Sequence, residues 1–421
     1  MAPSSCLRRR SFFKEKAMTN LIIGQSGGPT AVINSSLAGV FSQAKKAGIK
    51  KIYGMKHGIK GFLRDENIDL SEVLDSEEKI ELLKRTPASF LGSCRFKLPT
   101  FEDDPEIYNT IFSKLEELEI GYFLYIGGND SMDTIKKLSD YASKINSPVR
   151  FMGVPKTIDN DLAVTDHSPG FGSAAKFIAT AVRELVCDCR VYDVEAVTII
   201  EIMGRNAGWL TASAALARSE DCEGADLIYL PETVFDIDSF IKKVEKLAKE
   251  KKAVVVAISE GIKVADGRFV CELGADNAAT DAFGHKMMSG SGKYLENRIK
   301  SEIKGIKCRS IELSTLQRCA SHSASLTDIN DAFLAGSAAV DYAVKGESGK
   351  VIILERESSV PYKVSARPQD VGEIANIEKK VPLQWISDGY VTKEAIDYIR
   401  PLIQGELTPL MENGLPRLLK L

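Results

Sequence analysis

The sequence FMGVPKTIDND occupies residues 151–161 and joins an apolar run to a strongly polar one. The run Phe151–Val154 is short, aromatic and branched, as in a buried strand. Directly behind it stand a lysine, a threonine and three Asx residues, whereas a plain turn requires only one Asx. A carboxylate there can accept a hydroxyl proton, and a lysine can neutralise transferred phosphate charge. The stretch therefore predicts a strand that ends in a catalytic site, with a plain polar loop as the alternative.

Short apolar runs alternate with amphipathic stretches from about residue 20 onward. The predicted strands are Leu21–Ile23, Tyr122–Ile126, Phe151–Val154, Val197–Ile202, Leu227–Leu230, Val254–Ile258 and Val351–Leu354. The predicted helices are Ile33–Ala47, Ser131–Ile145, Ser173–Val186, Ala207–Ala217, Ser239–Lys251, Ser289–Ile303 and Thr327–Val344. This alternation predicts an α/β fold with mostly parallel sheets, in which ligands bind beyond the carboxyl ends of the strands. The last fifty or so residues are polar and interrupted by proline, and we predict only short helices there.

The composition is that of a globular protein of one large or two ordinary domains. Of 421 residues, 44% are hydrophobic and 27% are charged, which excludes a mainly disordered or coiled-coil chain. The formal net charge of −3 gives no basic excess for binding nucleic acid or an anionic membrane. No apolar run approaches the roughly 20 residues of a membrane span. Neither nucleic acid nor a membrane is therefore an expected partner.

The cysteines and the first residues bear on location. Eight cysteines are scattered through the chain, which indicates reduced thiols and a cytoplasmic protein rather than a disulfide framework. Residues 1–17 are basic and lack the apolar stretch of an export signal, so we predict a flexible tail that precedes the fold.

Two glycine-rich loops follow predicted strands and are candidate phosphate sites. They are GQSGGPT at residues 24–30 and GGNDS at residues 127–131. Glycine lets backbone N–H groups approach an anion, and a following helix N-terminus adds a favourable dipole. The alternatives are a tight turn for the first loop and a helix N-cap for Ser131. The candidate phosphate-binding residues are Gly27, Gly28, Gly127, Gly128 and Ser131.

Arginine and glutamate side chains follow other predicted strands. MGRNAG at residues 203–208 places a glycine beside Arg205, and Glu260 follows the predicted strand Val254–Ile258. Arg309 and Arg318 flank one segment and could clamp a phosphate ester, because a guanidinium offers a planar fork of donors. Each arginine alone is more often a surface charge, and Arg95 is ambiguous by itself. Glu260 could accept a hydrogen bond from a sugar hydroxyl or cap a turn.

These motifs, in this order, resemble the phosphofructokinase family from about Met18 to about residue 355. The joint occurrence of GGNDS, PKTIDND, EIMGRNAG and a late LQR carries the resemblance. It implies two Rossmann-like three-layer α/β/α lobes with mostly parallel sheets and an active site in the cleft between them. We expect a phosphoryl-donor lobe from 18–170 plus about 317–367, and a fructose 6-phosphate lobe from 171–316 plus about 368–421.

The resemblance also implies a role for each motif residue in Mg²⁺-dependent phosphoryl transfer to the 1-hydroxyl of fructose 6-phosphate. Asp159 resembles the base that accepts the hydroxyl proton, and Arg95 resembles the arginine that bridges the donor phosphates. The implied catalytic residues are Asp159, Lys156, Arg205, Asp130 and Arg95. The implied substrate-binding residues are Thr157, Asp161, Met203, Gly204, Glu260, Arg309, Thr315 and Arg318, and the donor-binding ones are Gly27, Gly28, Gly127, Gly128 and Ser131.

Two positions suggest which molecule donates the phosphoryl group. ATP-dependent members of the family usually have glycine where this chain has Asp130 and Lys156, and the acidic and basic pair resembles the pyrophosphate-dependent branch. A carboxylate at position 130 would repel the α-phosphate of a nucleotide, because like charges about 4 Å apart cost several kcal/mol near a protein surface. Pyrophosphate has no third phosphate. The alternatives are an ATP-dependent sugar kinase of the same fold and a catalytically inactive sugar-phosphate sensor.

Two of the implied site positions depart from the family pattern. Asn129 stands where the family often has a magnesium-ligating aspartate, and its amide oxygen can ligate Mg²⁺ without contributing charge. Thr315 stands where histidine or tyrosine often contacts the sugar phosphate. We expect Mg²⁺ as cofactor, fructose 6-phosphate and pyrophosphate as substrates, and a homodimer or homotetramer as the assembly.

Overall fold

The computed structural model describes residues 19–274 and 290–421, so the predicted tail at residues 1–17 and the first predicted residue of the helix at Ser289–Ile303 lie outside it. The strands are β1 (Asn20–Gln25), β2 (Ile52–Met55), β3 (Asn67–Asp69), β4 (Ile120–Gly127), β5 (Arg150–Pro155), β6 (Ala196–Ile202), β7 (Leu227–Tyr229), β8 (Ala253–Ser259), β9 (Lys307–Glu312), β10 (Lys350–Ser359), β11 (Tyr362–Asp370), β12 (Ile386–Ser387), β13 (Tyr390–Val391), β14 (Met411–Glu412) and β15 (Leu415–Pro416). The helices are α1 (Ile33–Lys46), α2 (Gly58–Leu63), α3 (Leu70–Val73), α4 (Glu77–Arg85), α5 (Pro105–Glu117), α6 (Asn129–Lys144), α7 (Phe171–Cys189), α8 (Trp209–Ala212), α9 (Ile237–Lys251), α10 (Ser291–Glu302), α11 (Leu316–Cys319), α12 (Leu326–Val344) and α13 (Lys393–Ile399).

A seven-stranded sheet has the order β11-β10-β5-β4-β1-β2-β3. Its central strands run parallel, while β3 and β11 pair antiparallel at the two edges. Helices α2, α5 and α6 bury one apolar face of this sheet, and α1, α4 and α12 bury the other. The result is a three-layer unit, because a parallel sheet needs both faces covered.

A second sheet of four parallel strands has the order β7-β8-β6-β9. Helices α7 and α13 pack on one face, and α9 and α10 pack on the other. Together the two sheets give the mixed α/β architecture with mostly parallel strands that the sequence predicts. The lobe boundaries at residues 170, 316 and 367 remain a prediction.

The register of the strands brings the predicted loops together. Gly127 pairs with Pro155 at the ends of β4 and β5, so the GGNDS loop and the KTIDND loop emerge side by side. Ile202 pairs with Ser259 at the ends of β6 and β8, which places the MGR strip beside Glu260. Each sheet therefore presents two of the predicted motifs at its carboxyl edge.

All seven predicted strands are present, but several elements have no counterpart among the predictions. They are β2, β3, β9, β11 to β15, and the helices α2 to α5 and α11. Because β12 to β15 lie in the last fifty residues, the prediction of only short helices there is wrong. The single helix predicted over Ala207–Ala217 is instead α8 followed by a 3₁₀ turn at Ser213–Ala217. The side-chain hydroxyl of Ser213 donates to the carbonyl oxygen of Leu210 where the helix changes to the tighter turn.

None of the helices within residues 19–274 and 290–421 combines the length and apolarity that a bilayer crossing demands. Seven cysteines fall in the described ranges, and all seven are free thiols.

Candidate active site

A cleft of about 680 Å³ opens at the carboxyl ends of both sheets. The predicted site residues that line it are Gly27, Gly28, Arg95, Gly128, Asn129, Asp130, Ser131, Lys156, Thr157, Asp159, Asp161, Met203, Arg205, Glu260 and Arg318. These residues lie up to 291 positions apart in sequence and come from both sheets. The structure thus gathers most of the predicted constellation in one place.

Two predicted glycines, Gly127 and Gly204, do not line the cleft but allow the segments around it to pack closely. A Cβ on Gly127 would lie 1.9 Å from Ser131 Oγ, so only glycine allows α6 to begin this close to β4. Gly204 has φ +134°, and a Cβ there would lie 2.7 Å from the carbonyl oxygen of Ala207. Its N–H donates to Glu260 Oε1 at 3.3 Å, which orients that carboxyl.

The predicted pairing of Arg309 with Arg318 is not found within the chain. Arg309 is the third residue of β9, an edge strand, and its guanidinium bonds Thr198 Oγ1 at 3.1 Å and Asp188 Oδ2 at 2.6 Å. These residues line a separate cavity of about 340 Å³. A side chain in the middle of a strand projects from the face of the sheet and not from its carboxyl edge. Thr315 is exposed at the start of α11 and also lies outside the cleft lining.

Asp159 lies in the loop after β5, with Lys156 and Arg205 close enough to influence its charge. Its backbone N–H donates to Thr157 Oγ1 at 3.1 Å, which fixes the start of the loop. Burial raises the pKa of the Asp159 carboxyl, and the positive charges of Lys156 and Arg205 oppose that rise. A carboxylate with raised proton affinity is a better proton acceptor than a solvated one.

Two further carboxyls crowd the same site. Burial raises the pKa of Asp161 to about 7, and the neighbouring charge of Asp159 adds to the rise. Burial also raises the pKa of Glu260 to about 7, although the N–H of Gly204 counteracts it. Carboxyls in this state exchange protons near neutral pH and can hydrogen-bond a hydroxyl as either donor or acceptor.

Lys156 links the loop after β5 to the glycine-rich loop after β1. Lys156 is buried, with 3% of the residue exposed. Its ammonium donates to the carbonyl oxygen of Gly28 at 2.6 Å. Burial lowers the pKa of Lys156 to about 8, against the opposing charges of Asp159 and Asp161. A Cβ on Gly27, where φ is +75°, would lie 3.3 Å from this ammonium. The lysine therefore presents its charge beside the glycine loop.

The GGNDS loop starts helix α6. Gly128 takes the N-cap position and Ser131 is the third residue of the helix, so the alternative of Ser131 as the N-cap is wrong. Asp130 is exposed in the first turn and lines the cleft. Asn129 Oδ1 is a buried oxygen that has no hydrogen-bond partner in the part of the chain that the structure describes. An orphaned amide oxygen of this kind suits a cation ligand.

Several residues in or beside the cleft were not predicted, and three of them make or offer contacts that matter to the site. Gln317 is buried and accepts a hydrogen bond from the Met203 N–H at 3.2 Å, which holds the MGR strip. Asn376 and Glu378 line the cleft from the C-terminal part of the chain, and Glu378 accepts from Asn206 Nδ2 at 2.9 Å. A polar, irregular segment carries no periodic signal, so sequence alone could not place Asn376 and Glu378.

Buried and partly buried carboxyls, a desolvated lysine and several arginines at the ends of parallel strands define a phosphotransferase site. The chain belongs to the phosphofructokinase family, whose model matches residues 20–343. It is 43% identical over 408 residues to a pyrophosphate–fructose 6-phosphate 1-phosphotransferase of Xanthomonas campestris pv. campestris, with 96% of each chain covered. The identity is 40% over 406 residues to the enzyme of that name from Methylococcus capsulatus, with 95% of each chain covered. The crystal structure of a pyrophosphate-dependent phosphofructokinase from Marinobacter aquaeolei is similar at a TM-score of 0.83 and 36% identity, with 96% of each chain covered.

Proposed function

We propose that the chain transfers a phosphoryl group from pyrophosphate to the 1-hydroxyl of fructose 6-phosphate, giving fructose 1,6-bisphosphate and phosphate. The observation that carries this proposal is the cleft that holds Asp159, Lys156 and Asp130 together. The names of relatives about 40% identical over nearly the whole chain support the same reaction. A phosphoanhydride and a phosphate ester are not far apart in free energy, so the reaction runs in both directions.

Asp159 acts as the base that takes the proton of the 1-hydroxyl. Burial raises the pKa of its carboxyl, which strengthens it as a proton acceptor, and the nearby charges of Lys156 and Arg205 favour its ionised form. Three cations line the same cleft, namely Lys156, Arg205 and Arg95. They offset the negative charge on the phosphoryl group during its transfer. Catalysis is therefore positioning together with charge stabilisation.

The acceptor is held by groups that follow strands of both sheets and by Arg318 on α11. Glu260, oriented by Gly204, accepts a hydrogen bond from a sugar hydroxyl, and the Met203 strip is fixed by Gln317. Arg318 also lines the cleft, and its guanidinium supplies positive charge for the 6-phosphate. Thr157 and Asp161 complete the acceptor contacts beside the base.

Mg²⁺ fits the residues at the start of α6. Asn129 Oδ1 is the orphaned oxygen described above, and Asp130 follows it in the first turn. No group of three or more His, Cys, Asp or Glu side chains that could hold a metal occurs in residues 19–274 or 290–421. A site with few protein ligands suits Mg²⁺, which keeps water and substrate phosphates in its shell. When bound, the ion would polarise the donor phosphates.

The donor assignment depends on Asp130. Its carboxylate lines the cleft at the start of α6, where it would face the α-phosphate of a nucleotide. The repulsion costs several kcal/mol, and pyrophosphate avoids it because it ends one phosphate earlier. Lys156 supplies the charge that nucleotide contacts would otherwise share.

The assembly and location complete the proposal. We infer a homodimer or homotetramer in the cytoplasm. We also infer that the two lobes have the boundaries predicted from the sequence. Light scattering of the purified protein would measure the mass of the assembly.

A ³¹P NMR time course tests the proposed reaction. Protein, Mg²⁺, pyrophosphate and fructose 6-phosphate should yield phosphate and a new phosphate monoester in equal amounts. Binding of fructose 6-phosphate without any turnover would support the inactive sensor instead.

A further inference from the structure

The segment 376–381 crosses behind the loop that carries Asp159. It lies beyond the residues 20–343 that match the family model. The N–H of Lys379 donates to the carbonyl oxygen of Asp161 at 2.7 Å, and Glu378 bridges to Leu162. The backbone of this segment is therefore bonded directly to the loop, two residues after the base.

The ammonium of Lys379 bonds to the same loop. It donates to the carbonyl oxygen of Asp166 at 2.7 Å and to that of Thr165 at 3.1 Å. A longer contact of 3.5 Å reaches Asn160 Oδ1. Lys379 is not among the residues that line the cleft, so its charge acts on the loop and not on a bound substrate.

Asn160 is the residue through which this contact reaches the base. It follows Asp159, is fully buried, and has φ +54°, a conformation that costs free energy for a residue other than glycine. Its side chain holds that conformation by accepting from the Ser168 N–H at 3.0 Å and donating to Tyr398 Oη at 3.0 Å. A shift of Asn160 would turn the adjoining carboxylate away from the cleft.

We propose that Lys379 is a positioning residue: its amide and ammonium together hold the Asp159–Asp166 loop so that Asp159 is directed into the cleft. The inference rests on the proposed function, since that is where Asp159 is assigned as the base. The fit is chemical as well as geometric. Three oxygen acceptors converge on one cation, and removing the cation would take a charged donor from each of them. Asn160 Oδ1 would keep the Ser168 N–H and the Asp166 carbonyl oxygen would keep the Tyr398 hydroxyl, so the Thr165 carbonyl oxygen would lose most.

The variant Lys379→Met tests this proposal, with Lys380→Met as the matched control. Lys380 is the exposed neighbour and receives the same substitution. We expect kcat with pyrophosphate to fall at least about tenfold in Lys379→Met, with KM for fructose 6-phosphate within about threefold of wild type. Lys380→Met should keep kcat within about twofold of wild type.

Hydrogen exchange provides a readout that needs no turnover. Amides of residues 159–166 should exchange at least about tenfold faster in Lys379→Met, while those of β6 and β8 keep their wild-type rates. Unchanged exchange in the loop would overturn the proposal, and so would uniformly faster exchange, which marks a general loss of stability. If the wild type has no activity, the proposed function fails while the exchange result still decides the role of Lys379.

A second variant covers the case in which Lys379→Met does not fold. Lys379→Gln keeps a hydrogen-bond donor without the charge. We expect it to exchange faster than wild type in residues 159–166 alone and to lose part of kcat. Wild-type exchange together with wild-type kcat in this variant would overturn the proposal.

Discussion

The side chains of Asp159 and Lys156 lie in the same cleft, and burial moves the pKa of each toward neutrality. Desolvation disfavours the charged form of both, so the carboxyl gains proton affinity and the ammonium loses it. Burial thus strengthens Asp159 as a proton acceptor, while Lys156, with a pKa of about 8, still carries charge at neutral pH. This is the combination that transfer of a phosphoryl group to a hydroxyl requires.

Replacing Asp159 by asparagine should remove the proton acceptor and keep its size. We expect Asp159→Asn to lower kcat by about 10²–10⁴-fold, because that is the usual contribution of a general base. Titration calorimetry should give nearly unchanged binding of fructose 6-phosphate. The control is Asp266→Asn, an exposed carboxylate outside the cleft lining that pairs with Arg268. Retention of more than about a tenth of wild-type kcat in Asp159→Asn would exclude its role as the base.

The titration of Lys156 should limit activity at alkaline pH. Because burial lowers the pKa of its ammonium to about 8, the charge that stabilises the phosphoryl group disappears as the pH rises through 8, and kcat should fall. Arginine stays protonated to beyond pH 12 or so, so the fall should move to higher pH in Lys156→Arg. A pH–rate profile of both proteins measures this. If the fall stays near pH 8 in Lys156→Arg, another group causes it, such as Lys379, whose pKa burial also lowers to about 8.

The start of helix α6 is the element that selects the donor. We expect Asp130→Gly to raise kcat/KM for ATP at least about tenfold, since removing 1.4 kcal/mol of repulsion already has that effect. Asp130→Asn is the matched variant, because it removes the charge and fills the same space. A smaller gain in ATP use in Asp130→Asn than in Asp130→Gly would show that the size of the side chain contributes as well as its charge. No gain of ATP use in Asp130→Gly, alone or combined with Lys156→Gly, would refute the clash.

Helix α7 begins behind the catalytic loop and is capped by a residue from α12. Asp328 is buried and accepts from the N–H groups of Gly170 at 2.9 Å and Ser173 at 2.8 Å. We expect Asp328→Ala to lower the free energy of unfolding by about 2–3 kcal/mol, because it removes a cap and orphans two buried donors. Urea denaturation would measure the loss. The exposed Asp397→Ala should change stability by less than about 1 kcal/mol, and equal losses in the two variants would contradict the capping role.

The elements that sequence predicts best are those buried on both faces. Strands β4 and β8 are almost fully buried, so their sequences are continuous apolar runs. Strand β9 lies at an edge and contains three charged residues among its six, and β11 is only half-buried, so neither stands out from a polar loop. The Asp328 cap joins residues 155 or more positions apart, and no local pattern announces such a contact.

At the scale of the whole molecule, the cleft depends on two sheets whose carboxyl edges meet. Strand-end motifs could be predicted because parallel α/β sheets bind ligands there. The separation of Arg309 from Arg318 could not be predicted, because it depends on the position of Arg309 within an edge strand. The contribution of Asn376 and Glu378 depends on how an irregular segment folds back over the catalytic loop, which only tertiary structure reveals.

The most direct test of the account compares two donors in one assay. Fructose 6-phosphate and Mg²⁺ are held constant, and initial rates are measured as pyrophosphate or ATP is varied. We expect kcat/KM for pyrophosphate to exceed that for ATP by about 10³-fold or more, the factor that about 4 kcal/mol of repulsion at Asp130 provides. Equal or better use of ATP would contradict the account.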